Sequence, residues 1–416
     1  MRLSRPFAAL SSPSPLTLVG VLALATAPIA AQTAAQSPGT SPAPVRFAAH
    51  DIAPLRGGYA VAVADFNNDG LPDVMANSLS VGEVAWLENP SWERHVIVPG
   101  MRSIVNQAMT DLDGDGIPEV AFQSGFAMQA ANSEGLNWVA RSGGDPTGEW
   151  EAEQIDAFQT SHHLLWVDLD GDGAKELVNA PLIGPASLAP TYDQDVASVF
   201  WYGQDGWGRH VIADDIPGVI HRVRPVRWTA GPGEQILVAS FEGIALYSAT
   251  GTGEEMVFQK ELLSPGHVEA APRLGASDVG FGTSNGQRML ASVEPWHGNE
   301  VVVYTETGGS LERRVIYDQL TSGHEIAVLD LNGDGRADIV ANDNSRVTAR
   351  APNATPGVNV FFSPEDPATG PWTHLRLESE TAMNSCVGSD INQDGRPDLV
   401  CTGAGGMIRW YENLGR

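Results

Sequence analysis

The sequence is poor in basic residues. Lys and Arg number 24 against 51 Asp and Glu, a formal net charge of −27 over 416 residues. A surface this acidic repels phosphate backbones and anionic headgroups, which argues against nucleic-acid or peripheral-membrane binding as the main function. Long apolar runs are also missing. The best candidate, Leu16 to Ala25, falls short of the roughly 20 residues that span a bilayer. With Arg2 and Arg5 before it and Ile29-Ala30-Ala31 after it, residues 1–31 read as a secretory signal peptide. Residues 32–44 (QTAAQSPGTSPAP) read as a flexible leader, and the mature domain is expected over 45–416. The expectation is therefore an exported chain, periplasmic or extracellular, monomeric, with no membrane span once processed. No G-x-S-x-G elbow, P-loop or H-E-x-x-H is present, so serine-hydrolase, NTPase and zincin chemistry have no support. Only two cysteines occur, Cys386 and Cys401. What is plentiful is apolar residues at 42%, enough for a packed core.

Self-similarity dominates the rest of the chain. Five segments share an apolar run, an acidic turn and a second apolar run, each with the pattern D-x-[DN]-x-D-G-x-x-[DE]. A hard cation such as Ca²⁺ takes six to eight oxygen ligands, and alternate residues of a tight loop can turn their oxygens inward while glycine takes the sharp bend. The candidate ligands are Asp65, Asn67, Asp69 and Asp73; Asp111, Asp113, Asp115 and Glu119; Asp168, Asp170, Asp172 and Glu176; Asp330, Asn332, Asp334 and Asp338; and Asp390, Asn392, Asp394 and Asp398. These loops lack the Glu at position twelve and the flanking helices of an EF-hand. About five structural Ca²⁺ sites are expected.

The first aspartates stand at 65, 111, 168, 330 and 390, and the long central gap has room for two more units, starting near His221 and His267, that have lost the acidic loop. Seven units of short strands predict an all-β, seven-bladed β-propeller. The seventh unit stops at RWYENLGR without a last strand, while VRFAAHDI (Val45 to Ile52) supplies one at the other end, so an N-terminal strand is expected to complete the last blade and close the ring. The pattern resembles the FG-GAP, or VCBS, repeat propellers, whose Ca²⁺ loops are similar to those of the integrin α-chain head. That resemblance implies the fold and the calcium, and leaves function open between catalysis and adhesion.

Six residues before the first loop aspartate stand His162 in unit three and His324 in unit six, and aligning the strands puts His221 and His267 in the same place. Tyr59, Val105 and Asn384 occupy it in units one, two and seven. Six strand residues separate these positions from the Ca²⁺ loops by roughly 20 Å, so they should crowd the opposite mouth of the channel. His163 adjoins them, Arg222 and Glu269 are close in sequence, and loops carrying Glu242, Glu294, Trp296 and His297 rise to the same face. Such a cluster could hold a transition metal or serve as general acid and base. Arg227 and Arg273 are expected where units four and five would have their first loop aspartate.

The stretch Ser277 to Thr305 is similar to the propeller domain of aldos-2-ulose dehydratases and, more distantly, to propeller lyases acting on rhamnose–glucuronate linkages. What this implies is a carbon–oxygen lyase performing β-elimination on an oxidised sugar. The site expected from residues and resemblance together is His162, His163, His221, His267, His297, His324, Arg222 and Glu294 for catalysis, with a catalytic divalent metal as an option. Trp296, Glu242, Glu269, Tyr59 and Asn384 are expected to contact the carbohydrate. The rival expectation is a non-catalytic propeller that binds a glycan or protein. Cys386 and Cys401 flank the last turn symmetrically and should be cross-strand neighbours, as a disulfide or as a buried thiol pair.

Overall fold

A computed structural model describes residues 45–416; the expected signal peptide and leader lie outside the described residues. The chain forms seven four-stranded antiparallel sheets. Their inner strands are Gly58–Ala64, Asn106–Thr110, Ser161–Val167, Ile220–Val226, Asp278–Ser284, Gly323–Leu329 and Ser385–Ser389. Each packs against the next and the seventh against the first, which makes a ring: the fold is a seven-bladed β-propeller. In six blades the four strands follow one another in sequence. The seventh sheet runs Ser385–Ser389, Asp398–Thr402, Met407–Asn413, and outermost Phe47–Pro54, which pairs from Phe47↔Asn413 to Pro54↔Met407.

Hydrophobic patterning explains the layering. The second strands, such as Asp73–Ser78, Glu119–Ser124 and Asp338–Asp343, are buried at every position because a neighbouring blade covers each face. Fourth strands, such as Ser310–Tyr317, alternate with solvent instead. The core lies between blades: Phe66, Trp86 and Ile97 of blade one pack with Val120 and Phe122 of blade two. Cys386 and Cys401 face each other across the last blade and form a disulfide.

Two expectations fail in blade five. Its inner strand begins at Asp278, and His267 lies in the preceding connection, bridged to Gly275. The stretch HVEAAPRLG cannot serve as the inner strand, since Pro272 removes a ladder donor and the apolar alternation starts only afterwards. Arg273 is therefore on the histidine side of the ring. The turn after the inner strand is Asn285–Gly286, both residues with positive φ (52° and 76°), a two-residue hairpin that replaces the acidic loop outright. Arg227 does follow its inner strand, 4.0 Å from Glu234.

Candidate functional site

The five acidic loops join inner to second strands at one face. In each, the first aspartate accepts backbone N–H groups of its own loop: Asp65 from Asp69 (3.1 Å) and Gly70 (2.8 Å), and likewise Asp330 from Asp334 and Gly335. The last carboxylate opens the second strand and accepts the N–H of the loop's second residue, as Asp73 from Phe66 (2.9 Å) and Glu176 from Leu169 (2.8 Å). Burial, with neighbouring loop carboxylates adding to it, pushes Asp73 up to about 6 and Glu176 and Asp338 up to about 7. Carboxylate oxygens converge within 4.8 Å in Asp111, Asp113 and Asp115, and in Asp168, Asp170 and Glu176. Asn332 Oδ1 is buried without a partner. Converging oxygens and an orphaned amide oxygen suit a hard cation.

At the opposite face the inner strands do something specific. Four of the seven inner hairpins carry a bulge, where one residue too many opposes the second strand. The extra residue is Tyr59 in blade one, His162 in blade three and His221 in blade four, and the His324–Glu325 step holds it in blade six. The hairpins of blades two, five and seven pair in unbroken register. A bulge re-aims a side chain that regular pleating would direct elsewhere. Here it turns one tyrosine and three imidazoles into the channel.

The rings meet there. Ring centroids lie 5.3 Å apart for His162 and His221 and 5.0 Å for His221 and His324. His297 joins from the connection after Glu294, with centroids 4.8 Å from His221 and 5.0 Å from His324. Its φ of 48° is uncommon for a residue with a side chain, and such strain concentrates at functional positions. His221 Nδ1 lies 2.9 Å from the Ser277 carbonyl oxygen and His324 Nδ1 lies 2.8 Å from that of Asn384. Each Nδ1–H therefore donates to the backbone, leaving Nε2 with its lone pair directed inward. Ligand nitrogens of His221, His297 and His324 all lie within 4.8 Å of one another. Tyr59 Oη bridges His162 Nε2 (2.9 Å) and His324 Nε2 (3.3 Å).

Burial keeps these imidazoles neutral. Desolvation first, then the neighbouring Arg222 charge, pull His162 down to about 3; desolvation brings His297 to about 4, and His163, His221 and His324 also fall well below their usual range. The same burial raises Tyr59, which stays protonated. Beneath this layer the channel encloses about 150 Å³, lined among others by Asn106, His163, Arg222 and Glu325. Arg222 donates to His163 Nε2 and pairs with Asp278 (3.3 Å) and Glu325 (3.0 Å); Arg224 pairs with Asp278 (2.7 Å). Asp278, Glu325 and Ser277 were not singled out in the sequence. The Asn-Gly turn at 285–286 could have fixed the blade-five register and so revealed Ser277 and Asp278.

Of the other expected residues, His267, Glu269, Glu294 and Glu242 lie apart from this cluster, while Asn384 and Trp296 touch it. His267 contacts Glu300 (3.2 Å) and Glu269 (3.3 Å), the latter also bonded to Arg273. Glu294 is fully buried and bonds Tyr304 and Arg313. Glu242 pairs with Lys260. Asn384 contributes its carbonyl to His324, while its side chain accepts from Ala404. Trp296 stands edge-on to His297, centroids 5.0 Å apart, in an aromatic group with Tyr192 and Phe241.

Residues 111–178 match the FG-GAP-like repeat family. This span runs from blade two's acidic loop through the one in blade three. No curated protein matches the sequence. Among solved structures, a triple-mutant AofleA from Arthrobotrys oligospora is similar at 11% identity and a TM-score of 0.46, covering 81% of this chain and 91% of that one. Among the described residues no helix is long and apolar enough to cross a membrane.

Proposed function

We propose that the histidine mouth is the active site of a carbon–oxygen lyase that performs β-elimination on a keto or uronate sugar, in an exported, calcium-stabilised propeller. The observation that carries this reading is the coincidence of bulge and side chain: the inner hairpins that present Tyr59, His162, His221 and His324 are the bulged ones, and the others are regular. A channel merely filled by side chains has no need of four aligned irregularities.

The donor set suits a divalent transition metal such as Zn²⁺ or Mn²⁺, with His221, His297 and His324 as its ligands: three neutral imidazoles, two of them fixed by backbone carbonyls through Nδ1. When bound, such an ion supplies Lewis-acid charge next to the carbonyl or carboxylate of the substrate. Tyr59 and His162 form the proton-handling pair. Tyr59 Oη takes the proton from the carbon α to that group while passing its own to His162 Nε2, 2.9 Å away. The β carbon–oxygen bond then breaks, a carbon–carbon double bond forms, and Tyr59 gives the abstracted proton to the departing oxygen and recovers its own from His162, which ends neutral. Arg222 is tied to His163, Asp278 and Glu325, which makes it a positioning residue behind the histidines. Trp296 offers the sugar an aromatic edge beside His297.

The reading is tested by incubating the metal-loaded protein with glucuronate-containing polysaccharides and with 2-keto and 3-keto sugars while following ultraviolet absorbance from the new conjugated double bond. Activity lost in His221→Ala and His324→Ala together with bound metal supports it. Silence across that panel, with glycan binding unaltered in both variants, favours a recognition module instead.

A further inference from the structure

Most arginines among the described residues pair with a carboxylate, in a chain with twice as many acids as bases. Of those that do not, Arg56, Arg314 and Arg376 donate to backbone carbonyls, and Arg46 and Arg416 lie near the ends of the described chain at the acidic-loop face. Arg56, Arg346 and Arg350 are exposed, enter no ion pair, and belong to connections on the histidine side of blades seven, one and six. Arg56 precedes Gly58, which packs so closely on the turn at Gly403 that a Cβ would lie 3.1 Å from its carbonyl oxygen. That same turn, through Ala404 and Gly405, walls a groove of about 280 Å³ shared with Ser345, Arg346 and Thr381. Ser345 Oγ is buried there with no hydrogen-bond partner.

The groove is joined to the histidine cluster on two sides. Asn344, next to Ser345, accepts a hydrogen bond from Ser322 Oγ (2.8 Å), which lies 3.5 Å from His297 Nδ1. Ala404 donates to Asn384, whose carbonyl holds His324. The rim is therefore polarised. Aromatic side chains, Phe126, Tyr192 and Trp296, stand on the sector of blades two to five, and exposed arginines outside any ion pair, Arg56, Arg346 and Arg350, stand on the sector of blades six, seven and one. Glu380 is the one carboxylate lining the groove, and no ion pair neutralises it against Arg346.

We infer that this groove is an anion subsite that holds a carboxylated or sulfated sugar unit of an oligosaccharide, away from the unit that reacts at the histidines. The inference rests on the lyase reading for its orientation, and its own test needs no turnover. Exposed guanidinium groups attract carboxylate and sulfate alike, with Arg suited to planar bidentate contact, and their pull weakens with salt.

The probes are fluorescein-labelled hexagalacturonate, a sulfated galactan hexamer and the neutral galactan hexamer, titrated by anisotropy into the full-length protein at low and at 0.5 M salt. Wild type should prefer the acidic hexamers by about tenfold or more at low salt and lose that preference at high salt. Arg346→Ala/Arg350→Ala should abolish the preference with an unchanged melting temperature, since both side chains are exposed; Glu380→Gln should strengthen it. His221→Ala should keep it, which separates failure of the subsite from failure of the lyase reading. Whichever acidic hexamer binds identifies carboxylate or sulfate as the partner. Equal binding of acidic and neutral hexamers by wild type, or an acid preference undiminished in the double variant, overturns the inference.

Discussion

Tyr59 differs from its neighbours in the cluster by one property: it alone brings a hydroxyl proton into a ring of acceptors. Its Oη lies between two Nε2 atoms, so deleting it removes proton transfer while leaving the three imidazoles of the metal set in place. Tyr59→Phe should lower kcat by about 10²- to 10⁴-fold with full metal content, whereas His221→Ala should lose the metal itself. Metal analysis beside kinetics checks the split, and equal loss of metal in both variants would defeat the assigned roles. Most of this cluster was legible in the sequence because each acidic loop provides an origin from which to count. Six residues back from Asp65, Asp168 and Asp330 lie Tyr59, His162 and His324. The misplacement of His267 has the same cause in reverse. Blade five has no acidic loop, so the count had no origin, and the two-residue turn at Asn285–Gly286 shifted the strand away from where matching histidines placed it. Glu325 and Asp278 were illegible for another reason: their meaning lies in contacts to Arg222 across blades, which no local pattern records.

At the scale of strands, another set of histidines repeats. His95, His210, His374 and His50 lie on fourth strands directly opposite Trp86, Trp201, Phe361 and Trp410 on the third. The rings pack at centroid distances of 4.3 to 4.7 Å, His374 nearly parallel to Phe361 at 11°. These are cross-strand pairs that cover a blade's outer flank. They account for four of the ten histidines and leave the channel group as a separate population. Burial lowers the His374 pKa, with Arg376 adding to it, and its Nε2 bonds Asn359 Oδ1 (2.9 Å). A depressed folded pKa means that its contribution to stability is complete above the unfolded value near 6.5 and is lost as pH falls through the folded one. His374→Gln retains the amide contact without the titration. The melting temperature of wild type should therefore exceed that of the variant by more at pH 7.5 than at pH 5. Parallel pH profiles for the two proteins would show that the His374 pair carries no such linkage.

The whole ring poses a problem of charge that its parts explain. Roughly a third of the 51 acidic residues sit in the five loops at one face, and five divalent ions would offset ten of the 27 net negative charges. With those carboxylates gathered close together and mutually repelling, chelation should lower the melting temperature by many degrees, and added Ca²⁺ should restore it beyond what Mg²⁺ achieves, because the loops offer flexible oxygen donors. A melting curve indifferent to chelator would remove calcium from the account. The ring's other weak point is the seventh blade. Its outermost strand, Phe47–Pro54, is separated in sequence from its partner Met407–Asn413 by the rest of the propeller, and it covers the edge beside the buried Tyr411 and Ile408. Deleting residues 47–54 would leave an unpaired edge and bare apolar surface. If this strand holds the ring shut, the truncated chain should melt lower than the full chain and self-associate, while retaining its five acidic loops. The Cys386–Cys401 disulfide joins only the two innermost strands of that blade and cannot substitute for the missing outer one. Equal melting temperatures for truncated and full-length protein would mean that packing between inner strands alone keeps the ring closed.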